Sequence, residues 1–180
     1  MINEEKFGTG EINLACSLMA LGVPLSVLEP CSIIAHENGS VHSRYNFEPV
    51  SIDGKYKTIE LSRAWSNISK APLNHPLVWL SDFVKAGGKG RTIKEWLEFA
   101  IDRYQLAHVR NFDDAESYVG QFPDNIESYC LAFCCNRKTL LDLHYKAKQK
   151  IYMTNGSSRV MIDAKAPKHV KQELINRLNG

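Results

Sequence analysis

Two Asn-Gly dipeptides, Asn38-Gly39 and Asn155-Gly156, constrain the fold of this chain more than any other feature. A two-residue hairpin loop of type I′ needs positive φ at both central positions, and Asn followed by Gly meets that need at low steric cost. After the first dipeptide, Val41, Ser43, Tyr45 and Phe47 alternate with His42, Arg44, Asn46 and Glu48, the period of a half-buried strand. A two-residue loop there pairs His36 with Val41 and His42 with Ala35, so the two histidines face opposite sides of the ribbon. After the second dipeptide, the same geometry pairs Ile151 with Val160 and Met153 with Ser158. Asp53-Gly54 marks a shorter turn.

Helical signals surround the hairpins. In "TGEINLACSLMALG", Thr9 reads as an N-cap, Glu11 lies in the first turn, and Gly22 closes the helix. Ile12, Cys16 and Met19 fall at helical spacing, and Pro24 and Pro30 then keep the connection extended. Pro76 suits a first helical position after Asn74 or His75 as cap. Thr92 and Glu95 form a capping box ahead of Trp96, Leu97, Ala100 and Tyr104. "NFDDAESYVGQFPDNIE" (111–127) reads as an acidic linker, and a long helix is expected over about 125–147. "KTIELSRAWSNI" fits either a strand or a helix, and Pro167 starts a final helix with Val170, Leu174 and Leu178 on one face. The expected fold is α+β: two antiparallel Asn-Gly hairpins, one sheet being enough to hold both, packed against several helices. Residues 1–180 make a single compact domain, with a finer division into 1–70 (helix plus hairpin), 71–110 (helical pair) and 124–180 (helix-hairpin-helix).

Residues 7–47, "FGTGEINLACSLMALG" followed by a strand ending "RYNF", resemble a small uncharacterised prokaryotic and phage domain. Its pattern is a Thr-x-acidic-aliphatic cap, a Leu-Ala helix ending in Gly, and an aromatic strand. Thr9, Glu11, Ile12, Leu14, Ala15, Leu18, Gly22 and Phe47 match it. The resemblance covers less than a quarter of the chain; it implies a phage or mobile-element origin and brings no catalytic residues.

Composition narrows the function. Residues are 44% hydrophobic and 23% charged, ordinary for a folded domain. No apolar run approaches the ~20 residues that cross a bilayer, and "MINEEKFGTG" lacks a basic-then-apolar secretory pattern. Five cysteines, an odd count with three crowded at 130–135, suit a reducing interior, so a cytoplasmic location without membrane association is expected. The net charge of +2 hides an asymmetry: residues 136–180 carry ten Lys/Arg against three Asp/Glu, and the rest carry twelve against seventeen. Either the basic part binds nucleic acid, or the acidic segment at 111–127 neutralises it within the fold.

In "YCLAFCCNRK", Cys130 and Cys134 stack four apart on an apolar helical face, where an unmetallated thiol packs as a small hydrophobe. His144 lies ten residues beyond Cys134, about 15 Å along a continuous helix, too far to share a zinc ion with it. No metal or other cofactor is therefore assigned. Adjacent Cys134 and Cys135 would need a strained bridge, whereas Arg137 and Lys138 would lower the Cys135 pKa if all three were exposed. His75 reads as part of a helix start and His169 as part of a solvated first turn, and no nucleophile signature is present, so no catalytic residue is assigned.

Two candidate sites remain. In "AGGKGRT", Gly88, Lys89, Gly90, Arg91 and Thr92 combine close backbone approach, positive charge and a following helix N-terminus, the ingredients of an anion cradle. The same residues also make a well-capped helix–helix connection. In the C-terminal part, Tyr145, Lys148, Lys150, Tyr152 and Arg159 interleave aromatics with basic groups, a pattern that stacks bases and holds phosphates. The expectation is a non-enzymatic intracellular binding protein, a phage or mobile-element accessory factor acting on a host protein partner. The alternatives are a nucleic-acid binder using the basic C-terminal hairpin, and an enzyme acting on a phosphorylated small molecule.

Overall fold

The computed structural model describes residues 7–35, 41–49, 51–52 and 55–152, with the isolated positions 169, 172 and 176. In chain order the elements are β1 (Phe7–Thr9), α1 (Ile12–Ala20), β2 (Cys31–Ala35), β3 (Val41–Phe47), β4 (Ser51–Ile52), β5 (Lys55–Tyr56), α2 (Lys57–Ser66), α3 (Pro76–Gly87), α4 (Ile93–Tyr104), α5 (Phe112–Gln121) and α6 (Ile126–Tyr152). The architecture is α+β. A three-stranded antiparallel sheet of order β1-β3-β2 and a small β4–β5 ribbon pack with the helices. Asn38-Gly39, Asp53-Gly54, Asn155-Gly156, His36, the strand expected through Val160 and the helix expected from Pro167 lie outside the described residues, apart from helical positions 169, 172 and 176.

α6 is the hub. It packs against α1, α3, α4, α5 and β2, because Cys130, Leu131, Phe133, Cys134 and Leu140 bury on several of its sides. Side-chain bonds fix its rotation: Cys134 Sγ donates to Trp96 O at 3.4 Å, Asn136 Nδ2 to Cys16 O at 3.2 Å, and Arg137 Nη1 to Asn13 Oδ1 at 2.9 Å. One cluster of buried apolar residues runs from Leu14 and Phe47 through Phe83 and Trp96 to Leu140.

Local signals place most helix ends. Gly22 adopts φ 81° and closes α1 in a Schellman pattern, with Gly22 N donating to Met19 O at 2.9 Å and Val23 N to Leu18 O at 3.0 Å. His75 Nδ1 caps α3 by accepting from Leu77 N at 3.1 Å, and the Thr92–Glu95 box opens α4.

Four expectations change. Thr9 ends β1 rather than capping α1, although its Oγ1 accepts from Glu11 N at 3.0 Å. The acidic segment is no linker: Asn111 caps α5 through Asp114 N, and Asp113 and Asp114 sit in the positive first turn of that helix. α6 continues through Tyr152, so Lys150, Ile151 and Tyr152 are helical rather than strand. Finally, His42 pairs with Ile34, not Ala35, a register one residue away from a two-residue Asn38-Gly39 loop. Burial sets that register: it puts Cys31 opposite Tyr45, which is 3% exposed, whereas a one-residue slip would turn Cys31 to the other face. The undecided segment at 57–66 is helix α2, with Thr58 and Leu61 turned inward.

Candidate functional site

The sheet has unlike faces. Tyr45 and Phe47 point into the core, and Ser43 Oγ is hydrogen-bonded to His144 Nδ1, which fastens α6 beneath β3. Ser32, Ile34, Arg44 and Asn46 point the other way and, with Ser26 and Glu29, line a depression of about 290 Å³. Gly8 makes room for this surface, since a Cβ there would overlap the Arg44 side chain.

One residue organises the edge of the depression. Asn46 N donates to Pro30 O at 3.0 Å, but Pro30 has no N–H to return, and Ser26 N donates to Asn46 O at 2.8 Å instead. Leu25 bridges Phe47 just before, and Glu48 N donates to Pro24 O at 3.0 Å. The chain thus runs alongside β3 at 24–26, leaves it over Val27–Glu29, and rejoins it at Pro30 to continue as β2, a large bulge in one strand line. Asn46 Nδ2 donates to Glu29 O at 2.9 Å and Ser32 Oγ at 3.2 Å, and Glu48 Oε1 accepts from Val27 N at 2.9 Å. The tip held by these bonds is apolar: Val27 and Leu28 are each 86% exposed. Burying either side chain would stabilise by about 1.5–3 kcal/mol, so this fold leaves that gain unused on a backbone it has otherwise fixed. Ser26 Oγ, in the same loop, is buried without a hydrogen-bond partner.

Two residues of the expected anion cradle, Arg91 and Thr92, bond within the chain. Arg91 Nε donates to Gly87 O at 2.6 Å while its guanidinium lies 4.6 Å over the Phe99 ring. Thr92 N donates to Glu95 Oε2 at 2.6 Å, and Thr92 Oγ1 accepts from Glu95 N at 3.3 Å. The bond from the Thr92 backbone, then that from its side chain, hold the Glu95 carboxyl below the usual range, so a carboxylate of the chain itself occupies the positive helix end. Gly88 and Gly90 supply positive φ and Lys89 is exposed. Thr92→Ala is expected to cost about 1 kcal/mol in urea unfolding, with no dependence on added phosphate. A melting temperature that rises with phosphate would instead support the anion role.

The cysteines are interior packing groups. Cys16, Cys130 and Cys134 are fully buried, all five thiols are free, and among the described residues no three His, Cys, Asp or Glu side chains gather as metal ligands do. Burial pushes the Cys16 and Cys130 thiols up to about 12, Cys31 up to about 11, and Cys134 well above its ordinary value. The expected activation of Cys135 is overturned. Arg137 turns away to Asn13, and burial, reinforced by the Glu116 charge, pushes Cys135 up to about 12 despite Lys138. Ellman titration is expected to find these thiols inert at pH 8 in the folded protein and all five reactive in denaturant. The sign for stability follows. Below the ordinary thiol value of 9.0 both states stay protonated, whereas above it only the unfolded chain ionises, so stability falls as pH rises from 9.0 toward about 12.

Of the base-stacking candidates, Tyr145 is 59% exposed on α6. Lys148, Lys150 and Tyr152 lie in the final turns of that helix, and Arg159 lies outside the described residues. The residues that reading the sequence missed are Ser26, Val27, Leu28 and Asn46. A Pro-bounded segment with two adjacent aliphatics, "PLSVLEP", was the only local hint of them. A scan against protein-family models finds no match, and searches of curated proteins and of solved structures find none either.

Proposed function

We propose that the chain is a non-enzymatic binding protein that holds a protein partner against the outer face of its sheet and the Val27–Leu28 tip. The observation that carries this reading is the bracing of an exposed apolar tip by Asn46 and Glu48. Preorganised apolar anchors beside polar groups are what a protein interface requires, since little ordering entropy is lost on docking. The surface lies within residues 7–47, the stretch that resembles the phage domain, which supports a phage or mobile-element factor acting on a host protein. Free, protonated thiols agree with a reducing interior, and among the described residues no helix is long and apolar enough to cross a membrane. Affinity capture from host extract, run beside a variant carrying Val27→Asp and Leu28→Asp, tests the proposal. A stoichiometric protein retained by the native chain and lost by the variant supports it, and one retained equally by both overturns it.

A second reading rests on exposed Tyr145 beside exposed Lys146, within a stretch where basic residues outnumber acidic ones ten to three. It requires nucleic-acid affinity that falls steeply with salt.

A further inference from the structure

The depression on the outer face of the sheet carries one charge of each sign. β3 is the central strand, and Arg44 reaches from it over β1, where a Cβ on Gly8 would stand 2.3 Å from the Arg44 Nε. Glu29 lies on the opposite side, just ahead of β2 in the chain, and both residues line the same hollow. They form no ion pair with each other, the pairs among the described residues being Lys94–Glu98 and Arg110–Asp114. Hydroxyl groups complete the lining. Ser32 stands across from Arg44 in the ladder, and its Oγ accepts from Asn46 Nδ2 at 3.2 Å, which leaves the Ser32 O–H to donate. Ser26 is 2% exposed, and its Oγ is buried with no hydrogen-bond partner. A buried hydroxyl left unbonded is costly, and an acceptor supplied by a ligand removes that cost. The bonds from Asn46 Nδ2 to Glu29 O and from Ser26 N to Asn46 O hold this lining in place beforehand.

We infer that the depression binds a free α-amino acid as its zwitterion, with Arg44 and the Ser32 and Ser26 hydroxyls holding the α-carboxylate and Glu29 the α-ammonium. The observation that selects this class is the pair of unlike charges standing apart in one hollow. A ligand of a single sign meets one of them as a like charge: a phosphate faces Glu29, and a metal ion faces Arg44. A guanidinium suits a carboxylate because its planar fork of donors matches two oxygens. Size agrees with charge. A volume of about 290 Å³ lies at the lower end of small-molecule pockets and admits an amino acid more readily than a nucleotide. Ile34 is the apolar residue of the lining and gives the ligand side chain a contact. Val27 and Leu28 take no part, so this inference and the docking reading above fail separately.

The test titrates each proteinogenic α-amino acid into the native chain, follows the backbone amide resonances, and measures the tightest ligand by calorimetry. That ligand is expected to shift the Ser32 and Arg44 amides. Its carboxamide lacks the negative charge and its N-acetyl derivative the positive one, and each should bind about tenfold or more weakly. Arg44→Gln should erase the difference between acid and carboxamide, and Glu29→Gln that between free amine and N-acetyl derivative. Ser26→Ala, which breaks no bond within the chain, should weaken binding of the free amino acid. The derivatives act on the native chain, so the test stands even where a variant fails to fold. Three results overturn the inference. One is that no amino acid shifts these amides. Another is a carboxamide that binds as well as its acid, the mark of a peptide N-terminus. The third is an N-acetyl derivative that binds as well as the free amine, the mark of a simple carboxylate. Val27→Asp with Leu28→Asp is expected to leave amino-acid affinity unchanged. Partner capture by a chain that binds no amino acid would remove this inference and leave the docking reading intact.

Discussion

Replacing Val27 and Leu28 together by aspartate is expected to abolish partner capture while leaving the fold undisturbed. Both side chains are 86% exposed and their backbone is held by Asn46 and Glu48, so the substitutions meet solvent in the free protein. Exposed substitutions of this kind change stability by about 0.5 kcal/mol or less. Binding is another matter. Central apolar anchors of an interface contribute about 2 kcal/mol each on truncation, and a buried carboxylate adds a desolvation penalty, so the pair should weaken binding about 1,000-fold. Equal melting temperatures together with lost capture make the assignment. A variant that melts much lower would mean that the tip packs against the chain itself.

Phe83→Ala is expected to cost about 3–5 kcal/mol, a large share of the roughly 5–15 kcal/mol that stabilises a domain. Phe83 of α3 is fully buried, and its ring centroid lies 5.4 Å from Trp96, 5.2 Å from Phe99, 6.4 Å from Tyr104 and 5.7 Å from Phe133. It therefore joins α3 to α4 and α6, and truncation leaves a cavity that three helices line and cannot readily close. Nearby, a Cβ at Gly87 would overlap the Trp96 ring, which shows how closely α3 approaches α4. Urea unfolding followed by tryptophan fluorescence measures the loss, and Phe83→Leu should recover part of it. A loss below about 1 kcal/mol would mean that this cluster is not the centre of the core.

The parts of the fold legible in the chain were those whose causes lie within a turn or two of each other. The Thr92–Glu95 box, Pro76 after the His75 cap, and Gly22 at the end of α1 appear where their residue types require. The alternation over 41–47 and the burial of Cys130 and Cys134 were equally local, since a period of 2.0 or 3.6 shows itself in a few residues. α5 carried its own start signal in Asn111, Asp113 and Asp114, but a run of acids reads as solvated chain until the buried Ala115 and its contact with α6 are seen. In α2, local pattern left strand and helix equal, and packing against α1 and α3 decided.

The candidate surface belongs to the other category. Nothing near Ser26 in the chain says that its N–H will replace the one Pro30 lacks, because both depend on Asn46, which arrives from β3. The register of β2 follows likewise from which residues α6 covers, and α6 is fastened by His144 to Ser43, 101 residues away. Short-range steric and capping preferences act in the unfolded chain as well as the folded one, so the sequence alone determined the caps of α3 and α4, the strand period and the inward Cys16, Cys130 and Cys134. Bonds between distant segments carry free energy only once the chain has closed upon itself. For that reason the strand register, the bulge and the outward face of Val27 and Leu28 were decided by the tertiary structure.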